Sequence, residues 1–177
     1  MRSLANTLNA KSGKVELAGW VNSRRDHGGL IFIDLRDHTG IIQLVVDPKT
    51  AEAFKLAESL RDEFVIAATG TVRERGAGLE NPNIETGKIE VVVEELRLLN
   101  RSEPLPVPTH DEGAPVSEEL RLKYRYLDLR RPSAQHRLAR RAKYYKFMRD
   151  YMEANEFIEV TTPILANSSP EGARDFL

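Results

Sequence analysis

Along the first hundred residues apolar and polar side chains alternate with a period of two, in five runs at 15–21, 30–35, 40–46, 64–72 and 88–98. Successive side chains of a strand point to opposite faces, so the pattern predicts five half-buried β-strands separated by turn-forming residues. One interval between the third and fourth runs changes period. There Ala53, Phe54, Ala57 and Leu60 recur at helical spacing behind Asp47, a residue suited to capping a helix. Three strands, a helix and two strands is the order of an all-β OB barrel, whose closure leaves no exposed sheet edge. An irregular sandwich fits the same order.

The pattern breaks at residue 101. Pro104, Pro106, Pro108 and Pro115, with the polar stretch around His110, mark residues 101–132 as a linker and hinge following a domain at 1–100. Pro132 then opens a helix predicted over 133–154. Leu138, Ala142, Tyr145, Met148 and Met152 form an apolar stripe that Tyr144, Phe147 and Tyr151 widen. So wide a face calls for a cover, either a further sheet or a second subunit. Asn155 is suited to the left-handed conformation that ends a helix, and 157–160 reads as a strand.

Composition narrows the class. Charged residues make up 30% and hydrophobic residues 41% of the 177, the balance of a globular chain. No apolar run reaches the roughly 20 residues of a membrane helix, and the N-terminus has no signal-peptide core, so a cytoplasmic protein is expected. The absence of cysteine excludes disulfides and thiolate zinc, and His27, His38, His110 and His136 lack metal-ligand spacing. A net charge of −1 argues against an indiscriminate nucleic-acid coat, but charge is uneven. Between Arg121 and Lys146 ten basic residues face one acid, Asp128, which is either a solvated helix face or a phosphate-facing stripe.

Strand alternation singles out Phe32. Ile31, Ile33 and Leu35 share one face of their strand, which leaves Phe32 on the other with Asp34 and Arg36. By the same logic Gln43 and Glu90 point away from the core. A turn centred on Asp37-His38 sets Phe32 opposite Gln43, and a bulge at Gly40 makes the pair diagonal. An exposed ring stacks on an unstacked base, an exposed amide offers its edge a donor and an acceptor, and Arg24, Arg25, Arg73 and Arg75 suit phosphates. Each residue has a plainer account; Glu90, for one, could simply pair with Arg73. Together on one barrel face they favour single-stranded RNA over DNA.

These residues sit in segments that resemble a known family, the bacterial-type aspartate–tRNA ligases of the class II aminoacyl-tRNA synthetases. GWVNSRRDHGGLIFIDLRD (19–37) resembles its anticodon-binding barrel and LRLKYRYLDLRRP (120–132) its hinge. FIEVTTPIL (157–165) resembles the end of class II motif 1, and SSPEGARDFL (168–177) the loop that closes over the amino acid. The resemblance implies that 133–177 opens an α+β catalytic domain with an antiparallel sheet and a motif 1 helix forming a homodimer. It implies that Phe32 stacks on the central anticodon uridine while Gln43 reads its edge. Arg25, Arg73, Arg75 and Glu90 would then bind neighbouring bases or phosphates, with Asn81 and Asn83 nearby, and Glu171 would hold the ammonium of L-aspartate. The implied reaction uses ATP and Mg²⁺ to form aspartyl-adenylate and charges tRNA(Asp). The arginines of motifs 2 and 3 are expected after Leu177, so the 177 residues alone are expected not to catalyse. His27 and Gly78 resemble the residues of members that also charge tRNA(Asn). Two other readings compete: a stand-alone OB module for single-stranded RNA, and a sister ligase for lysine or asparagine.

Overall fold

A computed structural model describes residues 2–110 and 115–164. The chain divides into two compact units, Met1–Pro104 and Leu105–Leu177. In the first, a 3-10 turn at Ala5–Thr7 precedes β1 (Lys14–His27), β2 (Leu30–Arg36), β3 (Ile41–Val46), α1 (Ala51–Ser59), β4 (Val65–Glu74) and β5 (Ile89–Asn100). The strands close in the order β1-β2-β3-β5-β4. β3 and β5 run parallel and every other neighbouring pair antiparallel, so the OB barrel expected from alternation is the fold observed.

Alternation works as expected in β2, where Ile31, Ile33 and Leu35 are buried and Phe32, Asp34 and Arg36 are half-buried. Leu17, Ile33, Leu44, Val46, Ile66 and Val91 fill the interior, each contributing about 1.5–3 kcal/mol by leaving water. α1 lays Ala53 and Ala57 on this core, with Leu60 just beyond its end. Asp47 does not cap α1. Its side chain accepts from the amide of Lys49 and its carbonyl from Thr50, an Asx-type turn around Pro48, so the helix starts one turn later, behind Thr50.

β1 runs further than alternation shows. A bulge at Asn22 carries it on to His27, and the hairpin to β2 turns on Gly28-Gly29, at φ 60° and 78°. Two consecutive left-handed residues make the tight turn that matches strand twist, and glycine takes that conformation without a Cβ penalty. The β2–β3 register also differs from the expectation. Phe32 pairs with Val45 and Asp34 with Gln43, because the loop keeps four residues, Asp37 to Gly40, with the Asp37 amide on the Gly40 carbonyl. The Asp37 carboxylate fixes that loop by accepting from the amides of Thr39 and Gly40 and the hydroxyl of Thr39, and it also accepts the amide of Ala5.

Where β1, β2 and β4 meet, Glu63 occupies the left-handed region at φ 64° although it is not glycine. Its amide donates to the Val21 carbonyl, and its buried carboxylate accepts from Arg36 Nη2 at 2.6 Å, while Arg36 Nη1 donates to Asn22. One ion pair thus ties the bulge of β1 to the end of β2 and the approach to β4.

In the second unit α2 (Glu118–Lys123) starts at Ser117, whose hydroxyl accepts the Leu120 amide. It is followed by α3 (Arg125–Asp128) and α4 (Pro132–Ala154). The basic stretch is not a continuous free stripe. Asp128, 1% exposed, accepts from Arg121 at 2.9 Å and Arg125 at 2.6 Å, with Arg131 at 3.9 Å. The Arg121 hydrogen bond chiefly holds this carboxyl below its ordinary pKa, against the opposing effect of burial. Leu138, Tyr144, Tyr145, Phe147, Met148, Tyr151 and Met152 of α4 are all exposed. Glu156 (φ 67°), not Asn155, takes the left-handed position after α4, since the Asn155 side chain donates to the Tyr151 carbonyl. The strand expected at 157–160 does not form: a strand is defined by a paired neighbour, and no ladder reaches these residues among those described.

Candidate nucleic-acid interface

Phe32, Gln43 and Glu90 stand on the adjacent strands β2, β3 and β5, pointing away from the barrel core. They floor a cleft of about 810 Å³. The β1–β2 hairpin walls one side with Arg25, Asp26 and His27, and the β4–β5 loop walls the other with Leu79, Glu80, Asn81 and Pro82 beside Arg75.

The polar floor is more enclosed than alternation suggested. Gln43 and Glu90 are 6% and 7% exposed, because polar neighbours cover them. Gln43 Nε2 donates to Glu90 Oε2 at 3.1 Å, and Arg73, the cross-strand partner of Glu90, donates to Oε1 at 2.8 Å. Arg25 Nη2 donates to both oxygens of Asp34 at 3.2 Å and reaches Gln43 Oε1 at 3.4 Å. Ser23 donates its hydroxyl to Asp34 at 2.7 Å. Arg73 is therefore the pairing partner of Glu90 and does not line the cleft.

The other candidates separate. Arg24 is not available to a phosphate in this arrangement: alternation turns it away from Arg25, and it donates to the Ala57 carbonyl and to Asp26. Arg75 sits between the loop and the floor, with Nε donating to the Ile89 carbonyl. Its Nη2 is buried and has no acceptor among the described residues. Burial lowers its pKa, the carboxylates of Glu90 and Asp34 opposing, but an arginine stays charged. A desolvated cationic donor without an acceptor is costly.

Asn81 lines the cleft, and its side-chain oxygen accepts the Asn83 amide. Asn83 faces a different, smaller hollow beside Asn6 and Thr39. His27 forms the rim, while Gly78 (φ 81°) lies at the bend that presents Leu79. Glu171 and the segment 168–177 lie outside the described residues. Sequence reasoning missed Asp34 and Leu79. Asp34 was visible by sharing a strand face with Phe32; Leu79, 70% exposed, was visible as an apolar residue within a polar loop. Among the described residues no group of three or more His, Cys, Asp or Glu could hold a metal ion, and no helix is long and apolar enough to cross a membrane.

A half-buried ring, an amide with both ends addressed and two guanidiniums within one open cleft suit stacking on a base, reading its edge and meeting phosphate. Comparison with known proteins agrees with this chemistry. The family model for the OB-fold nucleic acid binding domain matches residues 15–99, and that for class II tRNA synthetases (D, K and N) matches 117–177. The chain is 55% identical over 169 residues to the aspartate–tRNA(Asp/Asn) ligase of Moorella thermoacetica, covering 95% of itself and 28% of that protein. It is 53% identical over 163 residues to the aspartate–tRNA ligase of Exiguobacterium sibiricum, covering 92% of itself and 27% of that protein. The chain therefore spans little more than a quarter of these curated relatives. Its fold matches the crystal structure of asparaginyl-tRNA synthetase from Pyrococcus horikoshii complexed with asparaginyl-adenylate. The TM-score is 0.81 at 30% identity, over 98% of this chain and 39% of that one.

Proposed function

Because the chain belongs to the class II tRNA synthetases of the D, K and N group, with an OB-fold nucleic-acid-binding domain ahead of the synthetase segment, we propose that the complete protein is an aspartate–tRNA ligase. It joins L-aspartate to tRNA(Asp) in the cytoplasm at the expense of ATP, and the barrel is its anticodon reader. The observation that carries this is the cleft itself, where Phe32, Gln43, Arg25 and Arg75 converge on a volume large enough for an extruded base. The Phe32 ring stacks on the central anticodon base, Gln43 addresses its edge, and Arg75, which lines the cleft, brings positive charge to a neighbouring base or phosphate. ATP and Mg²⁺ are the cosubstrate and metal assigned to the complete protein, and Glu171 is assigned to aspartate. The exposed aromatic face of α4 supports a homodimer, which sedimentation of the complete protein tests: a monomer at micromolar concentration would end that assignment.

Phe32→Ala should weaken binding of an anticodon stem-loop by about 1–3 kcal/mol in a filter assay. Equal affinity of variant and parent would remove the stacking role. Use of tRNA(Asn) as well is supported by His27 on the cleft rim, by Gly78 at the loop bend, and by the dual specificity named for the Moorella thermoacetica relative. Aminoacylation of both tRNAs by the complete enzyme tests it, and charging of tRNA(Asp) alone would refute it.

A further inference from the structure

The polar contacts under the cleft form one continuous band. Ser23 donates to Asp34, Arg25 bridges Asp34 and Gln43, Gln43 donates to Glu90, and Glu90 accepts from Arg73. The band draws its residues from all five strands, with Arg25 of β1 making the link between Asp34 on β2 and Gln43 on β3. Its central member is an amide, and its neighbours are of opposite charge. A guanidinium faces the carbonyl end of Gln43 and a carboxylate faces its NH₂ end. Reversing the amide would set its oxygen against Glu90 and its NH₂ against Arg25, losing both bonds and adding two repulsions.

A fixed amide has a consequence for base choice. Along the edge that faces Gln43, uracil presents a keto acceptor beside the N3–H donor, while cytosine presents an amino donor beside the N3 acceptor. The two edges are reversed in polarity, so an amide held one way pairs with one of them in a given stacked pose and opposes the other. An amide free to flip would serve both.

Glu90 secures the donor end of Gln43 from a buried position, but Arg25, at the acceptor end, has a side chain 54% exposed and needs its own anchor. Asp34, directly across the ladder from Gln43, supplies that anchor, and Ser23 holds Asp34. We propose that Asp34 is a positioning residue for base recognition: by keeping Arg25 against the carbonyl end of Gln43, it locks the amide in a single orientation, which pairs with one of a keto-edged and an amino-edged pyrimidine and opposes the other. This rests on the cleft being the base-binding site proposed above.

The test compares the affinity of two anticodon stem-loops, identical except for uridine or cytidine at the central position, for the parent chain and Asp34→Asn. The parent should discriminate between the two loops, and Asp34→Asn should bring the ratio of the two affinities about tenfold closer to equality. The ratio does not depend on the fraction of protein folded, so a merely structural role would lower both affinities together and leave it unchanged. Ser23→Ala, which takes one hydrogen bond from Asp34 without removing a charge, should shift the ratio in the same direction by a smaller factor. An unchanged ratio in both variants overturns the proposal while leaving the cleft assignment intact. A parent chain that binds neither loop overturns the cleft assignment, and the proposal with it.

Discussion

Glu63 sets two opposing effects against each other, and replacing it with glycine separates them. The left-handed backbone at φ 64° costs a non-glycine residue about 1 kcal/mol, which glycine would recover. Against that, the substitution removes the carboxylate that Arg36 meets at 2.6 Å, with the two side chains 7% and 23% exposed. A charge-assisted hydrogen bond in such a setting contributes about 1.5–3 kcal/mol. Glycine also loses about 0.5–1 kcal/mol through the greater freedom of its unfolded chain. The balance is a destabilisation of about 1–3 kcal/mol, equivalent to roughly 4–20 °C in melting temperature for a domain of this size. Urea denaturation of the parent and Glu63→Gly at neutral pH measures it, and the same change in an Arg36→Met background isolates the pair. In that background the penalty should fall by the contribution of the pair, about 1.5–3 kcal/mol, because the backbone relief and the unfolded-chain cost are the same in both backgrounds. If Glu63→Gly is as stable as the parent with Arg36 present, the ion pair contributes little and the account of this corner is wrong.

Two further outcomes concern the barrel. Four hydrogen bonds outweigh burial and hold the Asp37 carboxyl below its ordinary pKa, so its contribution is present above about pH 4 and is lost as the pH falls through the folded-state value. Asp37→Asn should cost about 1 kcal/mol at pH 7, allowing for solvent screening. Urea titrations should show that difference shrinking as the pH falls below about 4; a constant difference would contradict the linkage. Gly70→Ala should cost about 3 kcal/mol or more, since the new Cβ meets the carbonyl oxygen of Val92 on the neighbouring strand. Gly40→Ala, where nothing lies within 4 Å, should stay within about 0.5 kcal/mol, and similar melting temperatures for the two variants would show that Gly70 is not a close-approach glycine.

The barrel was legible because a strand with one buried face writes that burial as alternation, and β2 shows it residue by residue. What alternation does not encode is covering by polar neighbours. Gln43 and Glu90 point where expected, yet they bury each other, and no single-strand pattern reports a contact between β3 and β5. Register was misplaced for a related reason. It depends on the four-residue loop that the Asp37 carboxylate organises, and that is side-chain chemistry. The run from Asn22 to His27 escaped notice because a bulge shifts the phase of β1, although Gly28-Gly29 between two pairing runs was a readable hairpin signal. Arg24 and Arg25 look alike as letters and go to opposite sides of a strand.

β1 pairs along its second half with β2 and along its first half, Lys14 to Trp20, with β4. On a ribosome these partners do not arrive together. The hairpin to β2 can form as soon as Arg36 is clear of the exit tunnel, whereas the first half of β1 must wait until β4 has been made, and β3 waits for β5. At roughly 5–20 residues per second, synthesis from Val46 to Asn100 takes several seconds. For that interval the nascent chain exposes two unpaired strand edges over an apolar face, which is the surface a chaperone would bind.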